Sequence, residues 1–265
     1  MKIKPYLLIA RNRLLACLAY RGHFFLILVG TIIYLVVGWF LWQSIYANGG
    51  TIRGLSFTQA YLYVGISMGL FTLIRTEVDW RMHNMVKSGD LLRFLTKPID
   101  FTLQFFMESL GQGAVNGIMI AAPSFLLVFI LTGAGNLSFI KVLLFSLSVA
   151  LGFLINFFID FLTGLSVFLT LSISGISNVK DTIVTFLSGA IIPLFFFPPD
   201  VRAVLEWLPF QALYHTPVRI LMDNTLDSAD ILFFFIRQVF WLIIFYGLVR
   251  LLFSAGIKKL VVNGG

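Results

Sequence analysis

Three charges lie where charge is unfavourable. Glu108, Asp160 and Arg237 fall within or beside long apolar runs, and ionisable groups in such runs often serve proton relays or ion paths. A relay needs carboxylates that face one another near mid-membrane. Glu108 lies only about two helical turns past Asp100, at the level of the inner headgroups, and Asp160 lies ~27 Å along its helix if that helix starts at Val142. Arg237 is about two turns into the last apolar run and is expected to snorkel outward. The expected role of all three is therefore structural pairing or anchoring at the interface. His23, His83 and His215 are scattered and are expected at the surface or interface. Ser172, Ser174 and Ser177 have no His/Asp pair close in sequence and read as part of a flexible connection. No His/Cys cluster has metal-ligand spacing, and the single cysteine, Cys17, excludes an internal disulfide. No glycine-rich phosphate loop followed by Lys-Ser/Thr occurs. The chain is predicted to be no enzyme and to hold no cofactor or metal.

The elements that carry these residues are set by composition. Of the 265 residues 59% are hydrophobic and 12% charged, with 29 phenylalanines; soluble domains carry about 25% charged residues, so this is membrane composition. The net charge of +7 is spread along the chain and forms no nucleic-acid patch. Spans of ~20 apolar residues are predicted at roughly 24–45, 57–75, 102–132, 142–170, 182–198 and 230–254. With the N-terminus inside, fourteen Lys/Arg fall on inward segments and four (Arg53, Lys141, Arg202, Arg219) on outward ones, the asymmetry expected of cytoplasmic loops. Residues 1–22 hold five cations and no carboxylate. Leu7, Ala10, Leu14 and Leu18 recur there at helical spacing, as in an uncleaved interfacial amphipathic helix.

Two segments break the pattern. Residues 75–100, between the second and third spans, carry nine charges in 26 residues, so the segment faces water. Glu77 to Lys87 is helix-permissive, with Met82, Met85 and Val86 as an apolar edge. Gly89 is suited to end that helix in a left-handed conformation, and Asp90 to cap a second short helix, Leu91 to Leu95, before Pro98. Residues 197–222 follow the fifth span and are broken by Pro198, Pro199, Pro209 and Pro217. Prolines turn a chain or begin a helix, and the rings of Phe195, Phe196, Phe197, Trp207, Phe210 and Tyr214 suit the interface.

In this order the features resemble the permease subunit of an ATP-binding-cassette exporter of the second class. "SGDLLRFLTKPID" (88–100) is similar to that family's Gly-hydrophobic-Leu-x-Lys/Arg-Pro-hydrophobic-Asp pattern. "LSGAIIPLFFFPPDVRAVLEWLPFQALYHTPVRIL" (187–221) is similar to its late Ser-Gly…Pro-Leu…Leu-Pro-Phe run. The resemblance covers essentially the whole chain and lies nearest a little-characterised bacterial subfamily. It implies one all-α integral membrane domain over 1–265 in the bacterial inner membrane, with six transmembrane helices and both termini cytoplasmic. It implies a coupling helix that docks on an ATPase subunit through Trp80, Met82, Lys87, Ser88, Gly89, Asp90, Leu91 and Leu92. It also implies an external re-entrant gate at Phe197, Pro198, Pro199, Trp207, Pro209 and Phe210. Partners would be two ATPase subunits, which bind the ATP and Mg, a second permease chain, identical or related, and membrane lipid. Cargo would be amphipathic. The alternative is a non-transporting membrane anchor or assembly factor that recruits a soluble partner through 75–100. A self-sufficient secondary transporter is disfavoured by the lack of mid-membrane carboxylates and of an inverted repeat.

Overall fold

The computed structural model describes residues 3–90, 99–134, 137–168 and 174–257. Among them every extended element is a helix, and the protein is a multi-pass membrane protein. Among the described residues five stretches are long and apolar enough to cross a membrane: Arg21–Ile45, Phe57–Ser88, Phe101–Thr132, Phe139–Leu165 and Ser228–Ser254. In chain order the helices are α1 (Lys4–Ala19), α2 (Arg21–Ile45), α3 (Phe57–Ile74) and α4 (Val78–Ser88). There follow α5 (Phe101–Thr132), α6 (Phe139–Leu165), α7 (Ser174–Leu187), α8 (Pro199–Trp207), α9 (His215–Met222) and α10 (Ser228–Ile257).

Local chemistry sets the boundaries. Ser56 and Gln59 form a reciprocal capping box at the start of α3, a device that contributes about 1 kcal/mol. Asp100 Oδ1 accepts from Leu103 N at 2.8 Å to begin α5. A π turn at Gly117–Ala121 interrupts α5 just before Pro123, which has no N–H to continue an α-helical ladder. Phe57–Ser88 is two helices, because Arg75 is extended and Glu77 takes φ 52°. Gly89, at φ 76°, ends α4 as expected.

The fifth expected span, 182–198, takes another form. Its helix, α7, is offset toward the N-terminus and stops at Leu187. Gly189 at φ 80° turns the chain, and a single 3-10 turn, Leu194–Phe196, follows Pro193. The 14 described residues of α7 extend ~21 Å, and beyond Leu187 the chain continues as turns rather than as helix. Apolar composition pointed to a span across a segment that glycine and proline interrupt. The expected connection around Ser172–Asp181 is helical from Ser174 onward; Ser172 is outside the described residues.

Packing places α3 at the centre, with Tyr61, Tyr63, Ile66, Leu70 and Ile74 nearly inaccessible. A second cluster joins Val78 and Met82 of α4 to Phe101 and Phe105 of α5 and Phe157 and Phe161 of α6. Between membrane helices such rings are held by close van der Waals packing rather than by removal from water. The face of α1 turned to the bundle carries Tyr6, Ala10, Leu14 and Cys17, whereas Leu7 and Leu18 stay exposed. Tyr6 Oη accepts from Asp100 N at 2.9 Å and Cys17 Sγ donates to Gln112 at 3.0 Å, so α1 is fastened to α5.

Candidate functional site

The bend between α3 and α4 is fixed from three sides. Thr76, buried, donates from Oγ1 to Asp160 Oδ2 on α6 at 2.5 Å. Asn156, one turn earlier on α6, donates to Ile74 O at 3.1 Å and to Asp160 Oδ2 at 3.3 Å. Arg81 on α4 reaches back to Thr76 O at 3.1 Å and across to Glu108 at 3.1 Å and Ser109 Oγ at 2.7 Å on α5. Glu108 is thus paired, as the sequence led one to expect.

Lys180 of α7 is the hub. Its ammonium lies 2.6 Å from Asp160, 3.1 Å from Asp79 and 2.6 Å from Asp181. One cation therefore joins α4, α6 and α7. Asp79 is fully buried and Asp160 nearly so, and neither carboxylate tolerates burial without a partner. Beside this hub is a cavity of about 110 Å³, lined among others by Phe71, Trp80, Lys180 and Tyr214.

Tyr214 belongs to the other half of the site. After α7 the chain runs through Leu194–Phe196, α8, a 3-10 turn at Pro209–Ala212 and α9. The tip of this broken hairpin packs on the middle of α6. A Cβ on Gly152 would come 2.9 Å from Ala212 O, so only glycine lets the tip this close. Gly152 is ~20 Å along α6 from Phe139. Backbone that leaves a helix away from water must find other partners, and α10 supplies them. Trp241 Nε1 donates to Trp207 O at 3.0 Å, and Gln238 Nε2 donates to Ala212 O at 2.9 Å and to Ser148 O at 3.1 Å. Ser148 Oγ returns a bond to Gln238 Oε1 at 3.1 Å. Arg237 donates to Gln211 Oε1 at 3.3 Å and faces the rings of Phe233 and Phe234. It is only 5% exposed, so it does not snorkel outward; the hairpin gives its guanidinium a partner inside.

The base of the hairpin is polar. Glu206 lies 2.7 Å from Arg202 and 3.8 Å from Arg219, and 3.5 Å from His215 Nε2. His215 Nδ1 is 3.0 Å from Tyr63 Oη. Burial opposes ionisation of Glu206, but hydrogen bonds from His215 and Arg202 prevail and bring its carboxyl to about 2. Burial pushes the His215 imidazole down to about 4, against the pull of Glu206. The ring thus sets Nδ1 against the Tyr63 hydroxyl and turns Nε2 toward Glu206. At 1% exposed, His215 is no surface residue; the fold of 194–214 back onto α3 encloses it. Lys141 Nζ closes this end, donating to Asp223 O at 2.7 Å and Asn224 Oδ1 at 2.6 Å.

The expected docking residues separate by burial. Lys87, Ser88 and Gly89 are exposed, joined by Asn84; Trp80 and Asp90 are half-buried; Met82 is buried. Met82 packs against α6 at Gly164. Leu91 and Leu92, with the rest of 91–98, are outside the described residues. Of the expected gate residues, Pro198, Pro199 and Trp207 are exposed, Phe197 and Phe210 half-buried and Pro209 buried. Sequence reasoning missed Asp79, Asn156, Lys180, Glu206, His215 and Gln238 as members of these networks. Asn156 and Asp160, four apart in an apolar run, and the adjacent Arg237–Gln238 were the available signals. The profile of the ABC-2 family transporter proteins matches residues 32–264. No curated protein matches the chain.

Proposed function

Because the chain belongs to the ABC-2 family of transporter proteins, we propose that it is the permease subunit of an ATP-driven exporter in a bacterial inner membrane. Both termini face the cytoplasm, and α4 is the coupling helix. Two copies of a separate ATPase chain bind ATP and Mg and receive the exposed edge of α4 at Asn84, Lys87, Ser88 and Gly89. A second permease chain completes the pathway, and the broken hairpin dips into the membrane from outside as its gate. Cargo is amphipathic.

The observation that carries this reading is the continuity of the two halves. Lys180 ties α4 to α7, α7 leads directly into the hairpin, and the tip residue Tyr214 borders the same cavity as Lys180. A push on α4 moves Asp79 and Thr76, and these cannot move far without Lys180 and Asp160. Closure of the ATPases is thereby passed to α7 and to the segment that plugs the outer side. Interfaces of this kind have discrete arrangements rather than continuous give.

The test is purification of the chain with the ATPase encoded by a neighbouring gene. ATP hydrolysis is expected to rise in the complex. Lys87→Glu with Gly89→Val should abolish co-purification. Lys180→Met should leave the ATPase bound while stimulation falls. A chain that captures no ATPase would sink the reading and favour the anchor.

A further inference from the structure

The two ends of α2 are held differently. Its second half is closed onto α3 by aromatic contacts: Trp39 packs edge-on against Phe57 and Tyr61, each at 4.8 Å between centroids, and Tyr61 Oη donates to Leu35 O at 2.9 Å. Its first half packs instead on α5, Phe24 and Ile27 against Val115, Met119 and Ile120, and leaves a cleft of about 430 Å³ between α2, α3 and α5. Phe24, Ile27, Thr31 and Tyr34, spaced three and four apart, line the α2 wall, with Met68 and Ile120 opposite. The polar side chains deep in the cleft are already occupied. Thr31 donates to Ile27 O, Gln112 to Asn116, and Asn116 to Thr72 O. The depth therefore asks for hydrocarbon.

The mouth is different. His23, Arg75 and Glu77 line it, and the Arg75 and Glu77 side chains are half exposed, 49% and 56%, with 3.2 Å between them. An exposed pair of this kind contributes little and can exchange partners. A cation and an anion side by side over an apolar slot match a headgroup that bears a phosphate and a primary ammonium. Arg75 would take the phosphate by charge-assisted hydrogen bonds, and Glu77 would accept from the ammonium. We propose that this cleft binds one hydrocarbon chain of an aminophospholipid-like amphiphile, its zwitterionic head seated on Arg75 and Glu77. This deepens the transport reading above, on which the assignment of the mouth to the inner leaflet rests. The same chemistry has two sources, a resident membrane lipid or the cargo itself.

The probe is a phosphatidylethanolamine with a photoactivatable group on one acyl chain, diluted into phosphatidylcholine vesicles that hold the purified chain. Adducts are expected on Phe24, Ile27 and Met68. Gly30→Leu fills open space, since a Cβ there meets nothing within 4 Å, and should fold normally while excluding the chain. Arg75→Gln should lower labelling about tenfold, the loss expected for one charge-assisted bond. Adducts confined to the outward residues Leu26, Ile33 and Val37, or no effect of Gly30→Leu, would overturn the site. Equal labelling by the phosphatidylglycerol analogue would overturn the headgroup. In the full complex, label lost on adding ATP identifies cargo, and label retained identifies a resident lipid; both support the site. Labelling needs no ATPase. An unlabelled cleft in an ATP-stimulated complex thus defeats this inference alone, and a labelled cleft without any ATPase partner defeats the transport reading alone.

Discussion

Lys180 and His215 show how single buried groups hold this bundle. Removing the ammonium by Lys180→Met strands Asp79 and Asp160, whose side chains are 0% and 3% exposed. Stranding a buried charge costs about 3–5 kcal/mol, so thermal unfolding in detergent should shift clearly downward. Adding Asp160→Asn should recover part of that loss; a double variant as weak as the single one would show that the pair is not what holds α7. His215 makes the hairpin sensitive to acid. Its folded value of about 4 lies below the ordinary 6.5, so between these limits the unfolded state binds the extra proton and stability declines as pH falls. The decline amounts to about 3 kcal/mol by pH 4. Glu206, held at about 2, has a depressed value, so its contribution is present above the unfolded 4.5 and is lost as pH falls toward 2. Melting should be flat above about pH 6.5 and drop from there to pH 4. His215→Gln should flatten that drop; an unchanged slope would show that another group titrates.

At the level of elements, the hairpin depends on α6 and α10. Gln238→Leu removes both donors to Ala212 O and Ser148 O, and a buried acceptor left unmatched costs about 1–3 kcal/mol. Gly152→Val brings a Cβ to within 2.9 Å of Ala212 O, too close for the tip to stay where it is. Limited proteolysis should then cut between Pro198 and Pro217 faster in both variants, and equal cutting would mean that the tip is not seated there. The same elements mark what was legible in the sequence. Helix α4 and its end at Gly89 could be read because an exposed segment keeps local signals: charge, helix-permissive residues and a glycine stop. The end of α7 was misread because hydropathy sums over Ile191, Ile192 and Phe195–Phe197 without regard to the backbone at Gly189. The partnership of Asp79, Asp160 and Lys180 was invisible, since residues 20 to 101 apart meet only when α4, α6 and α7 pack. Periodicity reports which face is apolar, not which polar residue waits on another helix.

At the scale of the whole molecule, orientation decides function. The proposed orientation, which puts fourteen Lys/Arg on inward segments and four on outward ones, predicts that Lys87→Cys reacts with a membrane-impermeant thiol reagent only from the cytoplasm. Arg202→Cys should react only from outside, and the reverse pattern would discard the proposed orientation. Background is low because the single native thiol, Cys17, is buried. The distribution of indoles carries a last consequence. The five tryptophans mark three places: Trp39 and Trp42 the half of α2 closed onto α3, Trp80 the helix α4, and Trp207 and Trp241 the bond that ties the hairpin to α10. The chain therefore carries its own optical reporters. Replacing four of them by phenylalanine, in three combinations, would let intrinsic emission report on the α2 seam, on α4 and on the hairpin separately, with no dye attached.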